Sequence, residues 1–447
     1  MAVATAPTVS PKTVRTAVLG SAIGNATEWY DYGVFTSGAI ATTIGTLFFP
    51  RGGDAALRSL ALVGIGFIFR PFGGMFFGPL GDKIGRQRVL AITILLMSGC
   101  TFLVGVLPTY ATAGVGAIIG LLLLRLVQGF STGGEYGGAA TFIAEYAPAR
   151  RRGFFGSFLE FGTLGGYVFG NAVVLAVTLS VSSQQLASWG WRIPFLVALP
   201  LGLTGLFLRL RLEDTPEFRR LARAGQKAEK APLRETVVTQ WREILNLVGI
   251  VLLLNFADYL LLTTMPTYFT GTLKISDSTS AEIIIGVELL QMALLAPLGA
   301  LSDRIGRKPL LLTAAIGYIV LSWPAIKLMQ TGNIGLLFLG FLIVAILLVL
   351  ILAVIGSTFP AMFPTRVRYG AFAIGYNLST SVFGGTVGVV VTSLINVTGS
   401  KDIPAFYLML GGLIGLWPIL RMRETARVPM EQVGKLGAKA GPLVAAD

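Results

Sequence analysis

Long apolar runs alternate with short charged ones along the whole chain. Apolar stretches occupy residues 16–48, 57–80, 89–108, 114–144, 153–180 and 189–209, a charged segment follows from 210 to 243, and six more apolar stretches cover 244–270, 281–301, 310–328, 334–358, 369–396 and 404–420. A bilayer core is crossed by roughly 20 helical residues, and a helix satisfies its own backbone hydrogen bonds in hydrocarbon. The pattern therefore predicts an all-α membrane protein with twelve transmembrane helices in two pseudo-symmetric six-helix bundles. Residues 1–209 form the first bundle, 210–243 a solvated cytoplasmic linker, 244–425 the second bundle and 426–447 a short cytoplasmic tail. The tail is too short and too rich in Gly and Ala for a coiled coil. Lys12 and Arg15 precede the first apolar run, but that run outlasts a signal peptide and lacks a small-residue cleavage site, so it reads as a retained helix.

Composition agrees with this reading. Of 447 residues, 54% are hydrophobic and only 13% charged, where a soluble domain carries about 25% charged residues. The net charge of +13 does not point to nucleic acid, because the basic residues lie in short loops and form no basic domain; anionic lipid is the expected partner for them. Of the 35 Lys and Arg residues, 27 fall on the termini and the even-numbered connections, five on the odd connections and three in or beside apolar runs. By the positive-inside rule both termini and the central segment are cytoplasmic, in a multi-pass protein of the bacterial inner membrane.

The chain has no histidine and one cysteine, Cys100. Imidazole proton carriers and the usual metal sites are thereby excluded, and proton chemistry falls to carboxylates. The interiors of the apolar runs keep Glu28, Asp31, Arg70, Arg125, Glu135, Glu160, Asp258 and Glu288. Each costs about 2.5–3.5 kcal/mol or more at the bilayer centre unless it faces a cavity or a partner. Glu28 and Asp31 project about 60° apart on one helix, close enough to resist joint ionisation. Arg125, Gln128 and Glu135 fall within about 80° on another and are expected to face one surface. Proton coupling is accordingly expected at Glu28, Asp31, Glu135 and Glu160, and substrate binding at Arg70 and Arg125, whose planar forks suit a carboxylate. Ion pairs that only hold helices together are the structural alternative for the same residues. Trp29, Tyr30, Tyr32, Tyr136 and Tyr167 lie beside these charges; they either cage a quaternary ammonium or pack the interior. Glycines at 129, 133 and 137, and at 162, 166 and 170, form small ridges for close helix contact.

The two halves repeat. GPLGDKIGRQR (78–88) returns as GALSDRIGRKP (299–309) at an offset of 221 residues, and Pro148 with Arg150 returns as Pro364 with Arg366. These loops resemble the signature loop of the major facilitator superfamily. GNATEWYDYGVF (24–35), RPFGGMFFGPLGD (70–82), RLVQGFSTGGEYGGAATFIAEYAP (125–148), GSFLEFGTLGGYVFG (156–170), WGWRIPF (189–195) and FPAMFPTRVRYG (359–370) are similar to the metabolite:proton symporter family within it. Glu160 and the FPAMFPT stretch favour its proline and betaine osmolyte branch, while Asp258 matches no part of the family pattern. The resemblance implies a proton-coupled symporter working by alternating access, with no cofactor beyond the proton gradient. It implies a small polar substrate, most closely a zwitterionic osmolyte such as proline or glycine betaine, with organic acids such as α-ketoglutarate, shikimate or citrate as the alternative and proton antiport as a more distant one. It also implies a conformational gate at Asp82, Arg86, Asp303 and Arg307, for which a static turn is the structural alternative. A monomer is expected. No nucleophile–base set, metal spacing or phosphate loop suggests an enzyme.

Overall fold

The structure is a computed structural model, and it describes residues 11–49, 55–84, 86–210, 233–364 and 367–430. The central part of the linker and the end of the tail lie outside the described residues, as do the side chains of Asp82 and Arg86. Twelve helical spans follow one another. In the first half, α1 is Pro11–Thr36 continued by Gly38–Phe48, α2 is Ala55–Ile68 followed by Arg70–Ile84, α3 is Arg86–Val106, α4 is Val115–Tyr146, α5 is Arg152–Ser180 and α6 is Arg192–Leu210. In the second half, α7 starts as Leu233–Asp258, α8 is Asp277–Ile305, α9 is Arg307–Met329, α10 is Ile334–Thr358, α11 starts as Arg368–Ser379 and resumes as Val387–Thr398, and α12 is Ile403–Arg421. Among the described residues ten helices are long and apolar enough to cross a membrane, and α6 makes an eleventh with the short segment Ser183–Gly190, bent 47° from it. The twelfth, α1, is less apolar because it carries Asn25, Glu28 and Asp31, all of them buried.

The breaks have local causes. Pro71 removes a backbone donor where α2 is interrupted at Phe69. Pro266 sits between two π-helical turns of α7, Tyr259–Thr264 and Tyr268–Thr272. The widened first turn leaves the Tyr259 carbonyl to accept from the hydroxyls of Thr263 and Thr264.

Within the first bundle α1 packs on α5 and α6, α3 on α6 and α4, and α2 on α4; the same pairings recur six helices later, as α7 with α11 and α12, α9 with α12 and α10, and α8 with α10. Between the bundles α5 meets α8 and α10, and α11 meets α2 and α4. Polarity is arranged inside out. Ile119, Leu123, Leu179, Val320 and Trp417 are exposed around the periphery, whereas Glu28, Asp31, Arg70, Arg125 and Glu288 are each at most 3% exposed. That is what a lipid solvent selects.

Glycine permits the closest contacts. A Cβ at Gly162 of α5 would strike the backbone of Ala22 in α1, and one at Gly129 of α4 would strike the backbone of Gly66 in α2. At Gly165, one turn position away on α5, the nearest atom is the flexible Met292 Cε at 3.6 Å. Gly162→Ala is expected to lower stability by about 1–3 kcal/mol through overpacking, while Gly165→Ala is neutral or stabilising, since alanine favours the helix by about 1 kcal/mol. Thermal unfolding of the two detergent-purified variants checks this pair, and equal behaviour would refute the close contact of α1 with α5.

Candidate functional site

Three guanidinium groups organise the centre of the first bundle. Arg70, at the break in α2, lies 2.7 Å from Glu28 of α1 and donates to Thr132 Oγ1 of α4 at 2.9 Å. It also reaches across the bundle boundary to the Tyr259 hydroxyl of α7 at 3.3 Å. Its plane lies over Phe67 at 4.5 Å, with Tyr32 and Trp29 at 5.9 and 6.0 Å. Arg125 holds both carboxylate oxygens of Asp31, at 2.6 and 3.4 Å, and stacks on Phe35 at 3.7 Å. Gln128 donates to Asp31 at 3.1 Å and to Thr101 at 2.8 Å. Arg209, near the end of α6, bonds Glu135 at 2.7 Å.

These pairings correct three expectations. Glu28 and Asp31 do not share a site, because each has a guanidinium of its own. Arg125 and Glu135 do not share a surface either: they lie within about 80° of each other around α4, but ten residues put them about 15 Å apart along its axis. Arg209, one of the 27 basic residues assigned to the termini and even-numbered connections, is instead buried at 2% exposure, and Gly24 of α1 leaves the space it occupies. Its flanks, Leu208 and Leu210, were the available signal.

Glu160 has no guanidinium partner among the described residues. It accepts from the Tyr136 hydroxyl at 2.7 Å and from Thr163 at 2.9 Å. Tyr136 stacks on Tyr376 of α11 at 4.3 Å, and Asn377 of α11 donates to the Gly133 carbonyl at 3.0 Å, so this layer also joins the two bundles. The aromatic group is different from the one expected. Trp29 packs with Tyr32, Tyr167 and Tyr259 at 5.0, 5.5 and 6.0 Å, whereas Tyr30 turns away to donate to the Pro194 carbonyl and Tyr136 belongs to the Glu160 layer. Tyr259 and Phe67 were missed; both lie in apolar helix where an aromatic residue carries no distinguishing signal.

The centre thus contains six buried carboxylates, Glu28, Asp31, Glu135, Glu160, Asp258 and Glu288, against three guanidiniums. No group of acids among the described residues is arranged to hold a metal ion. An unpaired ion in such a place costs several kcal/mol. Charge balance among these buried groups therefore calls for protons or a cation from outside.

At the basic face the loop of residues 299–309 joins the bundles. Asp303 of α8 accepts from the backbone N–H groups of Gly153 and Phe154, at 2.8 and 2.9 Å, at the N-terminus of α5, where a carboxylate is favoured. Arg307 donates to Asp303 at 2.8 Å and to Ser357 at 3.0 Å. The segment after α12 crosses this contact. Glu424 accepts from the Arg307 and Lys308 N–H groups, both at 3.0 Å, and Arg427 donates to the Asp303 and Arg304 carbonyls. The Val428 and Met430 carbonyls take Arg152 and Arg368, each at 2.9 Å. Arg368 also lies 3.3 Å from Glu145 of α4.

Comparison with known proteins matches this architecture. The family pattern described as sugar (and other) transporter fits residues 16–237 and again 222–436. This chain belongs to the major facilitator superfamily. The transporter is 42% identical over 429 residues to the proline/betaine transporter of Salmonella typhimurium, covering 94% of this chain and 85% of that one. It is also 42% identical over 428 residues to the glycine betaine/proline/ectoine/pipecolic acid transporter of Dickeya dadantii, with the same coverage, and 38% identical over 439 residues to the ectoine/proline transporter of Corynebacterium glutamicum, covering 94% and 86%. The solved proton:xylose symporter bound to 6-bromo-6-deoxy-D-glucose shares the fold, with a TM-score of 0.76 at 19% identity over 96% of this chain and 100% of that one.

Removing one partner of a buried ion pair leaves the other charge uncompensated and costs about 3–5 kcal/mol. Arg209→Met is therefore expected to destabilise the transporter strongly, and Arg209→Met combined with Glu135→Leu to recover most of the loss. A double-mutant cycle on thermal unfolding measures the coupling; additive effects would separate the two residues.

Proposed function

We propose that the transporter is a proton-coupled symporter that imports a zwitterionic osmolyte, proline or glycine betaine being the leading candidates. The observation that carries this reading is Arg70, which is ion-paired to Glu28, ringed by Trp29, Tyr32 and Phe67, and bonded to Tyr259 of the opposite bundle. A substrate carboxylate competes with Glu28 for the guanidinium, and the displaced Glu28 keeps the chamber neutral by taking a proton. Substrate and proton then enter together. Aromatic faces beside Arg70 suit the cationic end of the same molecule. The names of the 42%-identical relatives support the substrate class.

In this reading Asp31 and Glu135 hold helices together through Arg125 and Arg209, and proton traffic falls to Glu28 and Glu160. The basic face is cytoplasmic, which puts both termini inside an inner-membrane protein, with anionic lipid against its loops. Asp303 and Arg307 close the cytoplasmic side and release α5 when the bundles rock; Asp82 and Arg86 act as their counterparts. The carrier works as a monomer driven by the proton gradient alone. An organic-acid substrate is disfavoured by the surplus of buried carboxylates, which repel a second negative charge.

Uptake of labelled proline, glycine betaine and α-ketoglutarate into proteoliposomes, with and without an inward proton gradient, tests the reading. Gradient-dependent uptake of either osmolyte is expected, and gradient-driven α-ketoglutarate uptake alone would replace the substrate class. Glu28→Gln is expected to abolish accumulation against a gradient while retaining at least about a tenth of the exchange rate, as a lost proton carrier should. Unchanged accumulation would remove Glu28 from the coupling path.

A further inference from the structure

A continuous run of hydrogen bonds leads from the aromatic cluster beside Arg70 to Glu160. Trp29 Nε1 donates to Asn25 Oδ1 at 3.1 Å. Asn25 Nδ2 donates to Thr163 Oγ1 at 2.6 Å and to the Leu159 carbonyl at 2.9 Å, and Thr163 donates to Glu160 Oε2 at 2.9 Å. From the other side the Tyr136 hydroxyl donates to Glu160 Oε1 at 2.7 Å. Asn25, Thr163 and Glu160 are each at most 2% exposed, and buried polar atoms of this kind are satisfied by one another.

The direction of each bond in this run is fixed. An indole nitrogen only donates, which turns the amide oxygen of Asn25 toward Trp29 and its NH2 group toward α5. Thr163 has one hydroxyl proton and, receiving Asn25, spends it on Glu160. The Leu159 carbonyl accepts Asn25 as well as the helical N–H of Thr163, so its two lone pairs are filled and Thr163 finds no second acceptor there. Both oxygens of Glu160 therefore accept, as an ionised carboxylate does. A proton bound by Glu160 forms an O–H bond and cancels that charge. On Oε2 it would face the fixed proton of Thr163, so it settles on Oε1, where it deprives the Tyr136 hydroxyl of its acceptor. A buried donor left unmet is destabilising, and Tyr136 is the group that must move.

Tyr136 is also a contact between the bundles. Its ring stacks on Tyr376 of α11 with centroids 4.3 Å apart and planes 10° apart, and Asn377 donates to the Gly133 carbonyl at 3.0 Å beside it. The other buried acids on the helices packed against α5 have partners of their own. Glu28 and Asp31 of α1, Glu135 of α4 and Asp303 of α8 each hold a guanidinium, Glu288 of α8 is approached by Asn171 at 3.5 Å, and α10 contains no titratable residue.

We propose that Asn25 and Thr163 are positioning residues that hold Glu160 rigidly from one side, so that a proton taken up by Glu160 is felt at Tyr136 and loosens the Tyr136–Tyr376 contact between the bundles. The inference rests on Glu160 lying on the proton path of the symporter. Asn25 and Thr163 touch neither substrate nor seam; they act by leaving Tyr136 as the one partner of Glu160 that can yield. Loading the carrier with a proton is thereby tied to the surface on which α4 and α11 separate.

The test has two arms. In proteoliposomes, Thr163→Val keeps the shape of the side chain and removes the hydroxyl; it is expected to lower gradient-driven accumulation of labelled proline or glycine betaine at least about tenfold, with exchange changed less than about threefold. Thr163→Ser returns the hydroxyl and is expected to restore accumulation. Equal loss of accumulation and exchange in Thr163→Val, unchanged accumulation, or no recovery with serine overturns the proposal. Where Thr163→Val does not fold, Tyr136→Phe carries the same test, because it keeps the stacked ring and removes the hydroxyl that reports on Glu160. The second arm does not depend on transport. A double-mutant cycle on thermal unfolding of the detergent-purified protein, with Tyr136→Leu and Tyr376→Leu, measures the contact between the bundles. Its coupling is expected to fall by at least about half in a Glu160→Gln background, where the carboxylate charge is gone; an unchanged coupling overturns the proposal. If wild type shows no gradient-driven uptake, the functional reading fails while the thermal arm still decides whether Glu160 governs the seam.

Discussion

An ionised side chain in the interior of a membrane protein has to find an opposite charge, and that requirement orders this structure from the centre outward. Arg70 illustrates it. One guanidinium at the break in α2 is met by Glu28 of α1, Thr132 of α4 and Tyr259 of α7, so four helices from both bundles converge on it. Arg125 and Arg209 perform the same service for α1 with α4 and for α4 with α6. The difference lies in what else touches them. Arg125 is closed off by Phe35 and a bidentate carboxylate, whereas Arg70 borders a cluster of aromatic rings that includes Tyr259 of the second bundle. One arrangement joins two helices of one bundle, and the other also ties that bundle to its partner.

Close backbone approach is the complementary constraint. With lipid outside, helices gain little from hiding apolar surface, and packing distance matters instead. The contacts of Gly162 with α1 and of Gly129 with α2 are backbone contacts within the first bundle. They hold the first bundle as a firm unit, and Gly153 with Gly299 brings α5 and α8 to an equally close approach across the seam between the bundles.

Much of this was legible in the sequence. The helical spans followed from the length of apolar runs, the two bundles from the repeated loops, and the buried charges from their improbability in hydrocarbon. What the pattern could not supply was partners. Helical periodicity reports azimuth but not depth, which is why Arg125 and Glu135 were grouped although they serve Asp31 and Arg209 at different levels. Glu28 and Asp31 were read as mutual neighbours because their partners, Arg70 and Arg125, come from other helices. The π-helical turns of α7, which aim Tyr259 at Arg70, have only Pro266 as an outward sign.

The segment from Met422 to Met430 gives the molecule a property that neither bundle has alone. Glu424 and Arg427 grip the ends of α9 and α8, while the Val428 and Met430 carbonyls hold Arg152 of the first bundle and Arg368 of the second. These nine residues are a tether lying across the seam that must part during the transport cycle. Because backbone carbonyls make the last two grips, their strength is independent of side-chain identity at those positions. At this face the seam between the bundles is therefore closed by main chain from the end of the second bundle as well as by side chains.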